Sequence, residues 1–184
     1  MITLLKPSEI DVVSLAEVKA HLRLDHSYED DYLHTLIQGA TEQVEHYLGR
    51  SLLGKTWQLL WHQDRDHRND LVEIALPYPP LIEVLSVQKI LAHERKQSIK
   101  RYMLETGCVL PKLVCGGDVD KVEVIYRAGY GDYPKNIPPS IRQAVLCKIA
   151  DFYENRISTP REASANPSNI FKEVLAPYRV VGLT

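Results

Sequence analysis

Apolar residues recur at helical spacing near both ends of the chain and at strand spacing between them. Leu33, Leu36, Ile37, Ala40, Val44, Tyr47 and Leu48 step by three and four, with His34, Gln38, Glu42 and Glu45 on the other face. This predicts a long amphipathic helix from Tyr28 to Leu48, capped by Gly49. Glu29, Asp30 and Asp31 fall in its first turn, where the helix dipole favours negative charge. A shorter helix precedes it, opened by the capping-box pattern Ser14-Leu-Ala-Glu17 and running to about Leu22. Towards the other end, Ile141, Val145, Ile149 and Phe152 form a four-residue stripe. Ala144, Leu146 and Tyr153 widen it, which predicts a helix with two packing neighbours. A last helix is signalled by Asn166 as N-cap and Pro167 at the first position, followed by Ile170, Phe171, Val174 and Leu175. Pro177 ends it and leaves a Val-rich, strand-like tail.

From Arg50 the period is two. Leu53, Trp57, Leu59 and Trp61 alternate along one strand, and Val72, Ile74 and Leu76 along the next, stopped by Pro77, Pro79 and Pro80. Leu81 to Leu91 and Val119 to Arg127 are further strands. Gly116-Gly117-Asp118 reads as a hairpin turn joining the segment 109–115 to 119–127, because Gly supplies positive φ angles. The expected fold is therefore α+β: a helical core of two N-terminal and two C-terminal helices with an inserted, small, mostly antiparallel sheet. It is expected to form a single domain over residues 1–184, divided into N-terminal helices (1–49), an inserted sheet (50–137), and C-terminal helices with the tail (138–184).

Composition adds limits. With 184 residues, 45% hydrophobic and 25% charged, the chain can bury a real core, and neither disorder nor a fibrous repeat fits. The net charge of −2 argues against a protein whose task is to grip nucleic acid. Its distribution is uneven: residues 1–49 hold three basic and nine acidic groups, a net of −6, while 50–137 and 138–184 each carry +2. Three cysteines without a CxxC pair support neither a disulfide framework nor a zinc ribbon. The start lacks a signal-peptide pattern and no apolar run reaches 18 residues, so a cytosolic protein without a membrane span is expected.

Candidate chemistry is sparse. His62, Asp64, Asp66, His67 and Asp70 could ligate a metal, but Arg65, Arg68 and Asn69 among them read as a solvated connection between strands. The acidic run Asp25 to Asp31 lacks the central Gly and terminal Glu of a calcium loop, and helix capping accounts for it. No phosphate-binding Gly loop, GxSxG or HExxH is present. Cys147 falls within an apolar helix and is expected to be a small core residue. Neither a catalytic constellation nor a cofactor or metal site emerges.

Two segments stand out as contact candidates. Tyr153, Glu154, Asn155 and Arg156 close the penultimate helix with groups able to hydrogen-bond in several directions, and this reads equally as an ordinary helix end. The tail from Pro177 through Tyr178, Arg179, Val180 and Val181 either pairs within the protein or adds to another subunit.

The segments Val13 to Asp25, Glu29-Asp-Asp31, Val44 to Arg50 and Thr56-Trp57 resemble the head-tail connector (adaptor) family of tailed bacteriophages and related prophages. Tyr126 to Asp132, Ile137 to Val145, Phe152 to Arg156 and Leu175 to Arg179 are similar to that family in order and spacing. The resemblance implies a non-enzymatic structural protein of the virion neck, prophage-encoded and made in the host cytoplasm. It implies a homo-oligomeric ring of about twelve subunits under the portal that extends the DNA channel. The implied partners are other copies of the chain, the portal and the next neck or tail protein, with DNA passing nearby without specific binding and no membrane. Within it, Tyr153 to Arg156 and Pro177 to Val181 are expected at subunit or portal contacts. Glu42 and Glu45 are candidates for an acidic channel wall that repels passing phosphates. A stopper or tail-completion protein, a host interaction module and an enzyme of unknown type remain the alternatives.

Overall fold

The computed structural model describes residues 1–63, 71–91, 94–107, 109–116, 119–155 and 168–180, with the backbone alone for 168–170. The N-terminal third follows its hydrophobic spacing. Helix α1 (Leu15–Leu22) opens on the expected capping box: Ser14 Oγ accepts the Glu17 N–H at 3.2 Å, and the Glu17 carboxylate accepts the Ser14 N–H at 2.9 Å. Helix α2 (Asp30–Leu48) ends at Gly49, whose φ of 64° provides the left-handed C-cap. Leu33, Leu36, Ile37, Ala40, Val44 and Leu48 are all buried along one face of α2. Helix α3 (Pro139–Glu154) buries Ile141, Ala144, Val145 and Ile149 and packs against α1, α2 and the last helix, α4 (Ser168–Leu175). The wide apolar face thus serves three neighbours, one more than expected. The N-cap expected at Asn166 and Pro167 lies outside the described residues.

Among the described residues eight strands form two antiparallel sheets, where a single sheet was expected. One has the order β1 (Ile2–Lys6), β2 (Lys55–His62), β8 (Lys121–Ala128), β4 (Leu81–Ile90), β5 (Lys96–Ser98); the other runs β3 (Leu71–Ala75), β7 (Lys112–Gly116), β6 (Tyr102–Glu105). β1 comes from the N-terminal segment, and it, β5 and β6 were not apparent from periodicity. Because β7 and β8 lie in different sheets, the expected hairpin between them does not form. β8 pairs with β2 and β4 instead. The inner faces explain this. Val122, Val124, Tyr126 and Ala128 of β8 are fully buried against Val72, Ile74, Leu113 and Cys115 of the smaller sheet, so β8 belongs at the centre of the larger sheet.

The sandwich core and the helical core are separate apolar clusters joined by a polar seam. The Gly54 N–H reaches the Gly131 carbonyl at 2.9 Å, the Tyr130 N–H reaches Leu52, and the Gly129 N–H reaches Pro80 at 2.8 Å. Gly129 has φ 143°, and a Cβ there would sit 2.3 Å from the Leu53 carbonyl oxygen, so only glycine fits this crossing. Trp57 stacks on Tyr78 at 4.3 Å and donates its indole N–H to Ser51 Oγ at 3.0 Å. Tyr126 donates its buried hydroxyl to the Pro77 carbonyl at 2.8 Å, and burial pushes its pKa upward. Cys115 is buried, whereas Cys147 is exposed on α3, contrary to the expectation of a core residue. At helical spacing Cys147 sits beside Gln143, on the face opposite Ile141, Val145 and Ile149.

Candidate functional site

The two expected contact segments lie at opposite ends of α2, about 28 Å apart along its axis. Tyr153 belongs to the fold: its hydroxyl donates to Glu29 at 2.7 Å and its ring lies against Tyr32. Asn155 turns back on α3, its amide donating to the Asp151 carbonyl and carboxylate at 3.0 Å, while Glu154 points into solvent. Arg156 lies outside the described residues.

The tail, as far as Val180, is held by its own chain. The Val180 N–H donates to the Leu48 carbonyl at 2.8 Å and its side chain is buried. The Tyr178 carbonyl accepts from Arg50 Nε, and Arg179 lies over the Tyr47 ring at 5.2 Å. Pro177 and Arg179 keep exposed surface; Val181 lies outside the described residues.

The acidic pair divides. Glu42 is exposed on α2. Glu45 does not present a free carboxylate to a channel: one oxygen accepts the Leu52 N–H at 2.9 Å and the other bonds Lys55 Nζ, with the two side chains only 13% and 14% exposed. Its position near the C-terminal end of α2, over the chain's turn into β2, makes it a clamp across the seam between the two cores. Other acids of the first third are also engaged. Asp30 pairs with Lys19 at 2.7 Å, and Glu17 pairs with Arg142 of α3. The Ser14 backbone N–H and then Arg142 hold the Glu17 carboxyl below its ordinary pKa.

Two surfaces were missed in the sequence. On the outer face of the larger sheet, Glu123 is 5% exposed and accepts from Gln58 at 2.7 Å and Lys96 at 2.8 Å. Its place between Val122 and Val124 is the signal available in the sequence, since an acid inside a central strand needs a partner. The other is the exposed run Tyr102-Met103-Leu104 directly after Lys100-Arg101, an apolar stretch that breaks strand alternation. Among the described residues no group of His, Cys, Asp and Glu could hold a metal, and no helix is long and apolar enough to cross a membrane. Among the described residues, one open groove on the larger sheet is lined by Gln58, Lys96, Lys121 and Glu123, and another by Lys89, Lys100 and Arg101. The arrangement is one of internal ties and exposed faces.

Residues 12–103, half of the chain, match the family model described as phage gp6-like head-tail connector protein. The chain belongs to this family. The match runs from the residues ahead of α1 to the middle of β6, so the connector's inserted strands β2 to β5 fall within it. The family is one of head-tail connector proteins. No curated protein matches the connector's sequence. Its fold is similar to that of a chain in the neck of an empty gene transfer agent (GTA) particle computed with C6 symmetry, with TM-score 0.83 and 21% identity. A chain from the virion of the native GTA particle gives 0.80 and 21%, and one from the native neck computed with C12 symmetry gives 0.79 and 20%. Each likeness covers 100% of the connector and 97% of the other chain, so the two-sheet elaboration is part of a shared fold.

Proposed function

We propose that the connector closes into a homo-oligomeric ring of about twelve subunits beneath the portal, lengthening the DNA channel and offering the next neck or tail protein its docking surface. The observation that carries this reading is the family match, which full-length likeness to neck chains of C6- and C12-symmetric particles supports. The connector works by shape and contact, without catalysis or a cofactor. It is made in the host cytoplasm from a phage or prophage gene and ends in the virion neck.

Within that ring, the exposed parts of the contact segments face partners. Glu154 and Asn155 form one contact edge, and Pro177 and Arg179 form another. Their positions at opposite ends of α2 suit two different neighbours. Tyr153, Tyr178 and Val180 hold these edges in place from within. Glu42, with its carboxylate exposed, is the remaining candidate for a channel wall that DNA phosphates do not adhere to.

The test is native mass spectrometry and electron microscopy of the connector alone and mixed with the portal of its own phage. A ring seated on the portal is expected. A connector that binds only a tail terminus would make it a tail-completion protein, and a ring with Glu42 on its outer rim would remove the channel-wall role.

A further inference from the structure

Strand β6 departs from the alternation of a half-buried strand: Tyr102, Met103, Leu104 and Glu105 are all exposed, Met103 at 66%. Among the described residues it is an edge strand, paired only with β7. Lys100 and Arg101 lead directly into it. With Lys89 they line a shallow groove that reaches Gly116, next to Cys115, the residue opposite Tyr102. None of these three cations has an acidic partner among the described residues. The edge therefore presents Tyr102 and Leu104 on the side of Cys115 and Leu113 and Met103 on the other, with a cationic border at its start. That is the anatomy of a protein interface, apolar centre and polar rim. A phosphate-binding edge would instead present polar and cationic groups where Tyr102, Met103 and Leu104 stand.

The helical layer carries a matching feature. Tyr28 is 81% exposed, and its ring is held flat against His26 at 3.8 Å between centroids. Asp25 and Asp31, both exposed and without a cationic partner among the described residues, flank it. An aromatic knob fixed by stacking loses little entropy on contact, which is the usual character of an interface anchor. In polarity and charge it complements β6 with its cationic border.

We propose that these two surfaces meet between copies of the connector: the corner formed by Asp25, Tyr28 and Asp31 of one subunit docks on Lys100, Arg101 and the β6 edge of the next. This contact rests on the ring reading above and gives it a subunit interface. A ring needs a heterologous contact, with a different patch on each side of every subunit. Here the patches lie on separate layers of the fold, so one subunit can engage two neighbours. The uneven charge, −6 over residues 1–49 against +2 over 50–137, follows the same division.

Charge reversal tests it. One variant carries Lys100→Glu and Arg101→Glu, the other Asp25→Lys and Asp31→Lys; circular dichroism checks that both fold. Assembly is followed by native mass spectrometry, alone and on the cognate portal. Each variant by itself is expected to lose ring formation by at least about tenfold, since like charges then face each other. An equimolar mixture is expected to assemble again, alternating around a ring of even number. If both variants form rings like the natural chain, the ring stands and this contact is wrong. Two defective variants that do not rescue each other also overturn it, because the surfaces then do not face one another. A natural chain that forms no ring, alone or on the portal, removes the ring reading and the contact together. Retention of duplex DNA by the natural chain, lost in the Lys100/Arg101 variant while assembly persists, would reassign the surface to phosphate binding.

Discussion

Replacing Glu45 separates a structural clamp from a channel wall. Glu45→Ala removes the acceptor of the Leu52 N–H in a residue that is fully buried, and leaves the Lys55 ammonium without its partner. An unsatisfied buried donor costs about 1–3 kcal/mol. Breaking a buried ion pair from one side costs about 3–5 kcal/mol, but the flexible stem of Lys55 lets its charge reach water, which reduces that figure. A loss of about 3 kcal/mol is expected, equivalent to roughly 6–12 °C in Tm for a chain of this size. Glu45→Gln keeps an acceptor for Leu52 and is expected to lose about half as much. Urea unfolding followed by circular dichroism and tryptophan fluorescence measures this. Trp57, which stacks on Tyr78 and bonds Ser51, reports the seam, while Trp61 lies further along β2 against the sandwich core. Glu42→Ala is the control, expected within about 0.5 kcal/mol of the natural chain. In a double-mutant cycle, Glu45→Ala with Lys55→Ala should cost less than the two single changes added. If Glu45→Ala is as silent as Glu42→Ala, the clamp reasoning is refuted.

Other outcomes follow from the same geometry. Gly129→Ala must place a Cβ against the Leu53 carbonyl at positive φ, so a loss of about 2–4 kcal/mol is expected in the same urea assay; an unchanged midpoint would contradict the crossing described. Ser14→Ala removes the α1 cap and should cost about 1 kcal/mol. Because the folded state lowers the Glu17 pKa, its contribution is complete above the ordinary carboxylate range and is lost as pH falls through the lowered value. The stability difference between the natural chain and Glu17→Gln should therefore shrink between about pH 5 and pH 2, and a difference that grows on acidification would reverse the assignment. Thiol labelling with peptide mapping should modify Cys147 in the native protein and Cys115 only after unfolding, since burial excludes reagent and pushes the Cys115 thiol pKa up.

The helices were legible because their signals are local. The Ser14 to Glu17 capping box, the α2 stripe and the Gly49 cap each involve residues within a few turns of one another, so spacing alone set α1 and α2 nearly to the residue. The family was legible for a related reason: its recognisable segments are these helix ends and the glycine crossing at Tyr126 to Asp132. The candidate contacts were only partly legible. Tyr153 and Val180 look free in a linear reading, yet Glu29 and Leu48, 124 and 132 positions away, hold them.

Strand partnership lay beyond the sequence. Alternation says which residues of a strand face inward, but it is the same for every antiparallel partner, so it cannot choose between β7 and β4 as the neighbour of β8. That choice depended on which pairing buried Val122, Val124 and Tyr126 between two layers. Short polar strands such as β5 carry almost no periodicity and exist because a neighbour offers hydrogen bonds. Charge behaved likewise. The sequence by itself determined that acids concentrate in the first 49 residues; the tertiary structure decided which are neutralised. Glu17, Asp30 and Glu45 meet cations brought to them by folding, while Asp25, Asp31 and Glu42 remain exposed. Pairing over such distances is fixed by packing, and packing is a property of the whole chain.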